Sequence, residues 1–250
     1  MRRYLLSVSL LLCYASAISQ TYSHIIKLNN GNLVCGGYIA TDSSANDFVI
    51  TCVSKQGEVI WKHVLGGSKD DGGAFSGNRE YMSKTSDGGV FFAGATASSD
   101  GDIPGVQDGG FDIFVARFDA KGNILWKYTY GGDKTEYLSS VVATPDSGCV
   151  FSATTLSDNN GDVPANHSVD STDIWIVKLN ADGNIEWSKT YGGSGNEVAR
   201  SIKIAGDNYI FTGDVGSTDG DLAGSLTTGV WVVEIDSTGV ITWKERMVLK

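Results

Sequence analysis

Hydrophobic positions along this chain fall into short runs of about six to eight residues bounded by turn residues, and none keeps a helical period for long enough to build a helix. The stretch from Tyr137 to Tyr191 shows the pattern best. Tyr137 to Thr144, Cys149 to Thr155, Ile174 to Leu179 and Ile185 to Tyr191 are rich in β-branched and aromatic residues, which predicts four strands. The first two are joined by Pro145-Asp146-Ser147-Gly148, which matches Ser86 to Gly89 and Asn29 to Gly31. The last two are joined by Asn180 to Gly183, which matches Asp119 to Gly122 and Asp236 to Gly239. Glycine supplies the positive φ of a tight hairpin turn, so each unit reads as a four-stranded antiparallel meander.

The meander recurs. Four segments close on a tryptophan just after such a turn, at Trp61, Trp126, Trp187 and Trp243, and in the first three a Gly-Gly pair follows: Gly66-Gly67, Gly131-Gly132 and Gly192-Gly193. The units run over about 22–67, 68–132, 133–193 and 194–250. A repeated four-stranded meander is a propeller blade, because radial packing buries both faces of every sheet. Apolar runs such as Val90-Phe91-Phe92 and Trp231-Val232-Val233 agree, since a one-sided sheet would interrupt them with polar residues. The expected fold class is therefore all-β, a β-propeller of four-stranded antiparallel blades with four repeats, its tryptophans docked between blades. Four blades is the lower limit for closure. A small ring, an open arc and self-association of two chains through their terminal blades all stay open.

Composition agrees with a folded, turn-rich chain: 41% hydrophobic and 10% aromatic residues, with 32 glycines against 3 prolines. The 29 acidic and 19 basic side chains give a net charge of −10, which repels phosphate backbones and argues against nucleic acid as a partner. Arg2 and Arg3 precede an apolar run from Tyr4 to Tyr14 that ends in Ala15-Ser16-Ala17, the pattern of a secretory signal peptide over residues 1–17. The run is too short for a permanent transmembrane segment, so the expected location is secreted or at the outer cell surface. Lipid anchoring at Cys13 is the alternative, although Leu12 stands where a small residue is expected. Cleavage leaves Cys35, Cys52 and Cys149. One bridge between Cys35 and Cys52 is conceivable, and the favoured reading is buried thiols.

Thr85 to Gly105, Phe111 to Gly132 and Asp173 to Gly193 resemble the propeller-type repeats of secreted and outer-surface Bacteroidetes proteins, from about Tyr22 onward. That resemblance implies the repeat and no particular activity. Many such proteins carry a C-terminal sorting domain, which this sequence does not show before Lys250. Ala116, Asp119, Gly122 and Trp126 are distantly similar to the docking motif of quinoprotein-like blades, with one residue missing between the aspartate and the glycine. Sialidase Asp-boxes place glycine two residues after the aspartate, whereas Gly183 follows Asp182 directly.

The element most suggestive of chemistry is an acidic loop between second and third strands: Ser98 to Gly105, Asp158 to Ala165 and Ser217 to Gly224. Read with the aspartate that opens the third strand, it gives three groups: Asp100, Asp102 and Asp112; Asp158, Asp162 and Asp173; Asp219 with Asp221. Unit one keeps only Asp42 and Asp47. Closely spaced carboxylates on glycine-rich loops suit a hard cation, and calcium is the natural candidate. The competing reading is Asx-turns that bond backbone amides and need no metal. No other cofactor is implied. His24, His63 and His167 do not recur, and Glu80, Glu136 and Glu197 at the starts of units two to four recur like structure rather than like an asymmetric catalytic site. The leading function is a non-enzymatic binding module for a protein or glycan ligand. A structural or adhesive envelope component and a glycan-directed hydrolase on a propeller scaffold are the alternatives.

Overall fold

The computed structural model describes residues 20–40, 45–72, 81–105, 109–223 and 229–247. The signal segment with Cys13, and also Asp42, Glu80 and Gly224, lie outside them. The described residues form sixteen strands in four sheets, each an antiparallel meander in chain order. Blade 1 holds β1 (Gln20–Lys27), β2 (Leu33–Ala40), β3 (Asn46–Val53) and β4 (Val59–Leu65), and blade 2 holds β5 (Met82–Lys84), β6 (Val90–Thr96), β7 (Asp112–Phe118) and β8 (Ile124–Tyr130). Blade 3 holds β9 (Glu136–Ala143), β10 (Cys149–Thr155), β11 (Asp173–Leu179) and β12 (Ile185–Tyr191). Blade 4 holds β13 (Glu197–Ala205), β14 (Asn208–Val215), β15 (Gly229–Ile235) and β16 (Ile241–Met247). The only helical element among the described residues is a single 3-10 turn, Gly220–Leu222. The chain is thus an all-β, propeller-type stack of four blades.

The hairpin between third and fourth strands is built the same way each time. Asp119 Oδ1 accepts the amides of Lys121 and Asn123, as Asn180 Oδ1, Asp236 Oδ1 and Ser54 Oγ do in their own turns. Gly57, Gly122, Gly183 and Gly239 take φ of 88°, 88°, 84° and 78°, a region that glycine enters without steric cost. A register shift follows each turn: Phe118 pairs with Ile124, and the next residue back, Arg117, pairs with Trp126. That bulge turns the tryptophan to the opposite face from the isoleucine two positions before it. Each blade thereby gains a leading face that carries the tryptophan, turned to the next blade, and a trailing face turned to the previous one.

Three apolar cores fill the joints. Blades 1 and 2 enclose Phe48, Ile50, Phe92 and Phe114; blades 2 and 3 enclose Phe91, Val115, Phe151 and Trp175; blades 3 and 4 enclose Ile174, Ile176, Phe211 and Trp231. First strands β5, β9 and β13 pack on the inner strands of the blade before. Four blades in a closed ring would need a fourth core between blade 4 and blade 1. Among the described residues there are three such cores, one at each joint between consecutive blades.

Cys35, Cys52 and Cys149 are free thiols. Cys52 pairs across the sheet with Val34 and shares its face, which leaves the adjacent Cys35 on the other face, where no bridge to Cys52 can form. Burial pushes both thiols up from their ordinary pKa.

Candidate functional site

The second-to-third-strand loops and the crossings from one blade to the next share one rim of the stack, and the acidic side chains gather there. Each crossing begins with the Gly-Gly pair, and the fourth residue after it is an acid fully buried under the crossing: Asp71, Glu136 and Glu197, all 0% exposed. One carboxylate oxygen takes the amide of the second glycine, from Gly67 at 2.7 Å, Gly132 at 3.1 Å and Gly193 at 3.0 Å. The other oxygen takes a hydroxyl at the end of the second strand, from Thr96 to Asp71 and from Thr155 to Glu136 at 2.7 Å. Val215 holds that place in blade 4 and has no hydroxyl. Glu197 instead accepts the amides of Gly216 and Ser217, at 3.2 and 2.9 Å.

A second acid lies beneath the first glycine of each pair, partly buried as Asp47 and fully buried as Asp112 and Asp173. A methyl group on Gly66, Gly131 or Gly192 would collide with Asp47, Asp112 or Asp173 respectively, which explains why these crossings need glycine. Burial pushes the Glu136 carboxyl up, opposed by hydrogen bonds from Thr155, Ser157, Gly132 and the Asp112 carboxyl. Burial raises Asp71 and Asp173 in the same way.

The acidic loops complete the joints from the following blade. The amides of Asp102, Asp162 and Asp221 bond the carbonyls of Gly66, Gly131 and Gly192 at 2.8 to 2.9 Å. Asp100 and Asp219 accept the amides of Ser68 and Ser194, both at 2.7 Å. These contacts regroup the acids expected to act together. Asp100 and Asp102 belong with Asp47 and Asp71 across the first joint, not with Asp112. Asp162 belongs with Asp112 and Glu136, and Asp219 and Asp221 with Asp173 and Glu197. Asp158 turns to its own loop and takes the Asn166 amide at 2.9 Å. The physical reason is that a loop of one blade closes over the crossing that leaves the blade before it. The counterpart of Glu136 and Glu197 in the first joint is Asp71, from the spacing after Gly-Gly, rather than Glu80.

Among the described residues no group of three or more His, Cys, Asp or Glu is arranged to hold a metal ion. Asp71, Glu136, Glu197, Asp100 and Asp219 engage backbone amides, and Asp71 and Glu136 hydroxyls as well. Adding calcium to millimolar levels is accordingly expected to leave the melting temperature unchanged within error. A rise that grows with calcium concentration would support the metal reading.

The third joint departs from the other two. His167, on the loop between β10 and β11, places Nδ1 2.5 Å from Asp173 Oδ2, and its own amide donates to the same oxygen at 3.1 Å. Its Nε2 stands 3.3 Å from Asp221 Oδ2, so the imidazole bridges blades 3 and 4. Burial pulls the His167 pKa down, but the hydrogen bond to Asp173 and the charges of Asp173, Asp221 and Glu197 outweigh it, and the net direction is up. No repeat marks this histidine in the sequence; its one cue is a position in the longest of the rim loops, just before Asp173.

No family model and no curated protein matches the chain. Among solved structures it is similar to a protein of unknown function from Dyadobacter fermentans, with a TM-score of 0.53 and 13% identity over 90% of this chain and 68% of that one. The hemagglutinin-neuraminidase ectodomain of parainfluenza virus 5 aligns at 8% identity over 93% of this chain and 59% of that one, with a TM-score of 0.46. A mutant of the Synechocystis apocarotenoid oxygenase aligns at 14% identity over 90% and 48%, with a TM-score of 0.43. The chain therefore spans about half to two thirds of these proteins, and what it shares with the first of them is the fold of the blades.

Proposed function

We propose that this chain is an exported, non-enzymatic binding module of the Bacteroidetes-type propeller repeat class, engaging a protein or glycan through the loop-bearing rim. The observation that carries this reading is the division of labour along the rim. The repeated acids Asp71, Glu136 and Glu197 are buried and hold joints, while the rim loops also present residues that the other blades do not repeat. The loop between β10 and β11 is the clearest case: it carries Asn159 at a φ of 47°, Asn166 and Val169, the last 61% exposed. Rigid sheets that present variable loops are a common basis of recognition. The threefold recurrence of bonded acid pairs fits a structural duty better than one asymmetric catalytic centre. The apolar run over residues 4–14 supports export.

The test is a glycan array together with pull-down from envelope extract, followed by calorimetry on any hit. Val169→Asp with Asn166→Ala should abolish binding and leave the circular dichroism unchanged. Turnover of a bound glycan, or binding indifferent to the loop variant, would overturn the proposal.

A further inference from the structure

The loop between β10 and β11 leaves Thr155, returns at Asp173 and rests on both joints of blade 3. Its first half follows the pattern of the other blades. Ser157 Oγ accepts the amide of Lys134 at 3.0 Å, and the amide of Asp162 donates to the Gly131 carbonyl at 2.9 Å, which seats this half over the crossing that enters blade 3. Thr190 on the outer strand reaches the Ala165 carbonyl at 2.7 Å, as Thr129 reaches that of Pro104 at 2.9 Å in blade 2.

Over residues 166–172 the loop turns to the other joint. The Asn166 amide donates to Asp158 Oδ1 at 2.9 Å and its side-chain Nδ2 to the Ser171 carbonyl at 3.1 Å, which folds the segment back on itself. Thr172 donates its amide to Asn196 Oδ1 at 3.0 Å and its hydroxyl to the Glu197 carbonyl at 2.8 Å, both at the entry to blade 4.

Between these ends stands His167. Its amide and Nδ1 both meet Asp173 Oδ2, and Nε2 faces Asp221 Oδ2 on the 3-10 turn of blade 4. The two anchors are themselves held. Asp173 is fully buried, and Asp221 is bonded to Gly192 twice, by its own amide to the Gly192 carbonyl at 2.9 Å and by Oδ2 to the Gly192 amide at 3.2 Å. Glu197 and Asp219 add their charges around the ring. An acid at each nitrogen suits an imidazole that donates from both. The neighbouring Val169, by contrast, stands 61% exposed.

We propose that His167 is the positioning residue of this loop: it locks residues 166–172 to blade 4, so that the surface formed by Asn166 and Val169 keeps its shape only while blades 3 and 4 are joined. The lock rests on the reading of this loop as the recognition surface and adds a control to it. By linkage, a ligand that favours the locked loop tightens the joint between blades 3 and 4, and a loosened joint weakens the ligand.

Hydrogen–deuterium exchange of the full chain without ligand tests the lock, at about pH 6, below the ordinary histidine value of about 6.5. The amides of Asn166, His167 and Thr172 are bonded and serve as reporters. His167→Ala should speed their exchange about tenfold or more, the scale of a hydrogen bond to a charged group. His167→Asn keeps a donor for Asp173 but is too short for Asp221, and should exchange nearly as fast as His167→Ala. Asp221→Ala, a change in blade 4 alone, should speed the same amides, and the double variant should add little to either single one. Asp102→Ala, at the same place in blade 2, should leave them unchanged. Exchange indifferent to His167→Ala, or restored to the parent rate by His167→Asn, overturns the proposal, as do effects of His167→Ala and Asp221→Ala that simply add. If Asp221→Ala also loosens β14 and β15, the two His167 variants decide alone. No ligand enters the measurement, so a failed search for a glycan or protein partner counts against the binding reading and not against the lock.

Discussion

Trp175→Ala should lower the stability of the chain by about 3 to 5 kcal/mol, the usual cost of emptying a buried tryptophan site. On a chain of this size that is a fall in melting temperature on the order of 10 °C. Trp175 is 0% exposed, stands edge-on to Phe151 at 5.3 Å between ring centres, and fills the joint between blades 2 and 3. Its indole Nε1 donates to Ser188 Oγ at 2.8 Å, and that hydroxyl donates in turn to the Asp162 carbonyl at 2.8 Å. The side chain therefore ties the core of the joint to the acidic loop above it. Trp175→Phe keeps most of the volume and breaks only the first link, so it should cost about 1 kcal/mol. In a repeat stack each blade is held chiefly by its neighbours, and a defect in the middle joint weakens both halves. A Trp175→Ala protein that melts within two degrees of the parent would show that this joint does not limit stability.

The elements that can be read from sequence are those fixed by local chemistry. The turn residues around Gly122, Gly183 and Gly239, together with β-branched runs, predict Cys149–Thr155 and Ile185–Tyr191 with the boundaries that the structure gives. The tryptophan repeat likewise points to the joints, because a bulge at the same place in every blade turns each indole to the same side. What cannot be read so directly is any grouping made across a joint. Asp100 and Asp112 are near in sequence, yet the loop with Asp100 folds back over Gly66-Gly67, while Asp112 begins a strand beneath Gly131. The pairing of Asp71 with Glu136 and Glu197 was within reach, since all three stand four residues after a Gly-Gly pair. His167 was not, because its partners Asp173 and Asp221 come from two blades and only the fold brings them together. A blade count, likewise, fixes neither the angle between blades nor whether the ends meet.

Stability should fall as the pH rises from mild acid past neutrality, through the joint residues. Asp71, Glu136, Asp162 and Asp173 all have a pKa raised by burial in the folded chain. A group of this kind holds its proton more tightly when folded. Its contribution is complete below the unfolded value, about 3.9 for Asp and 4.3 for Glu, and is lost as pH rises through the higher folded value. His167 acts in the same direction over a later window: its folded pKa is raised, so its contribution is complete below about 6.5 and is lost as pH climbs past the folded value. Asp87 and Asp146 act in the opposite direction. Asp87 is lowered chiefly by the Thr85 hydroxyl, and Asp146 is lowered against its burial by the Lys178 ammonium, so both add stability above about pH 4 and lose it in stronger acid. The two sets together make a dome with its summit on the acid side of neutrality. Calorimetric melting temperatures at constant ionic strength should therefore be lower at pH 8 than at pH 5.5. His167→Gln should flatten that slope. A melting temperature that holds steady or rises from pH 5.5 to 8 would mean that the joint carboxyls and the imidazole between blades 3 and 4 do not carry the proton linkage assigned to them.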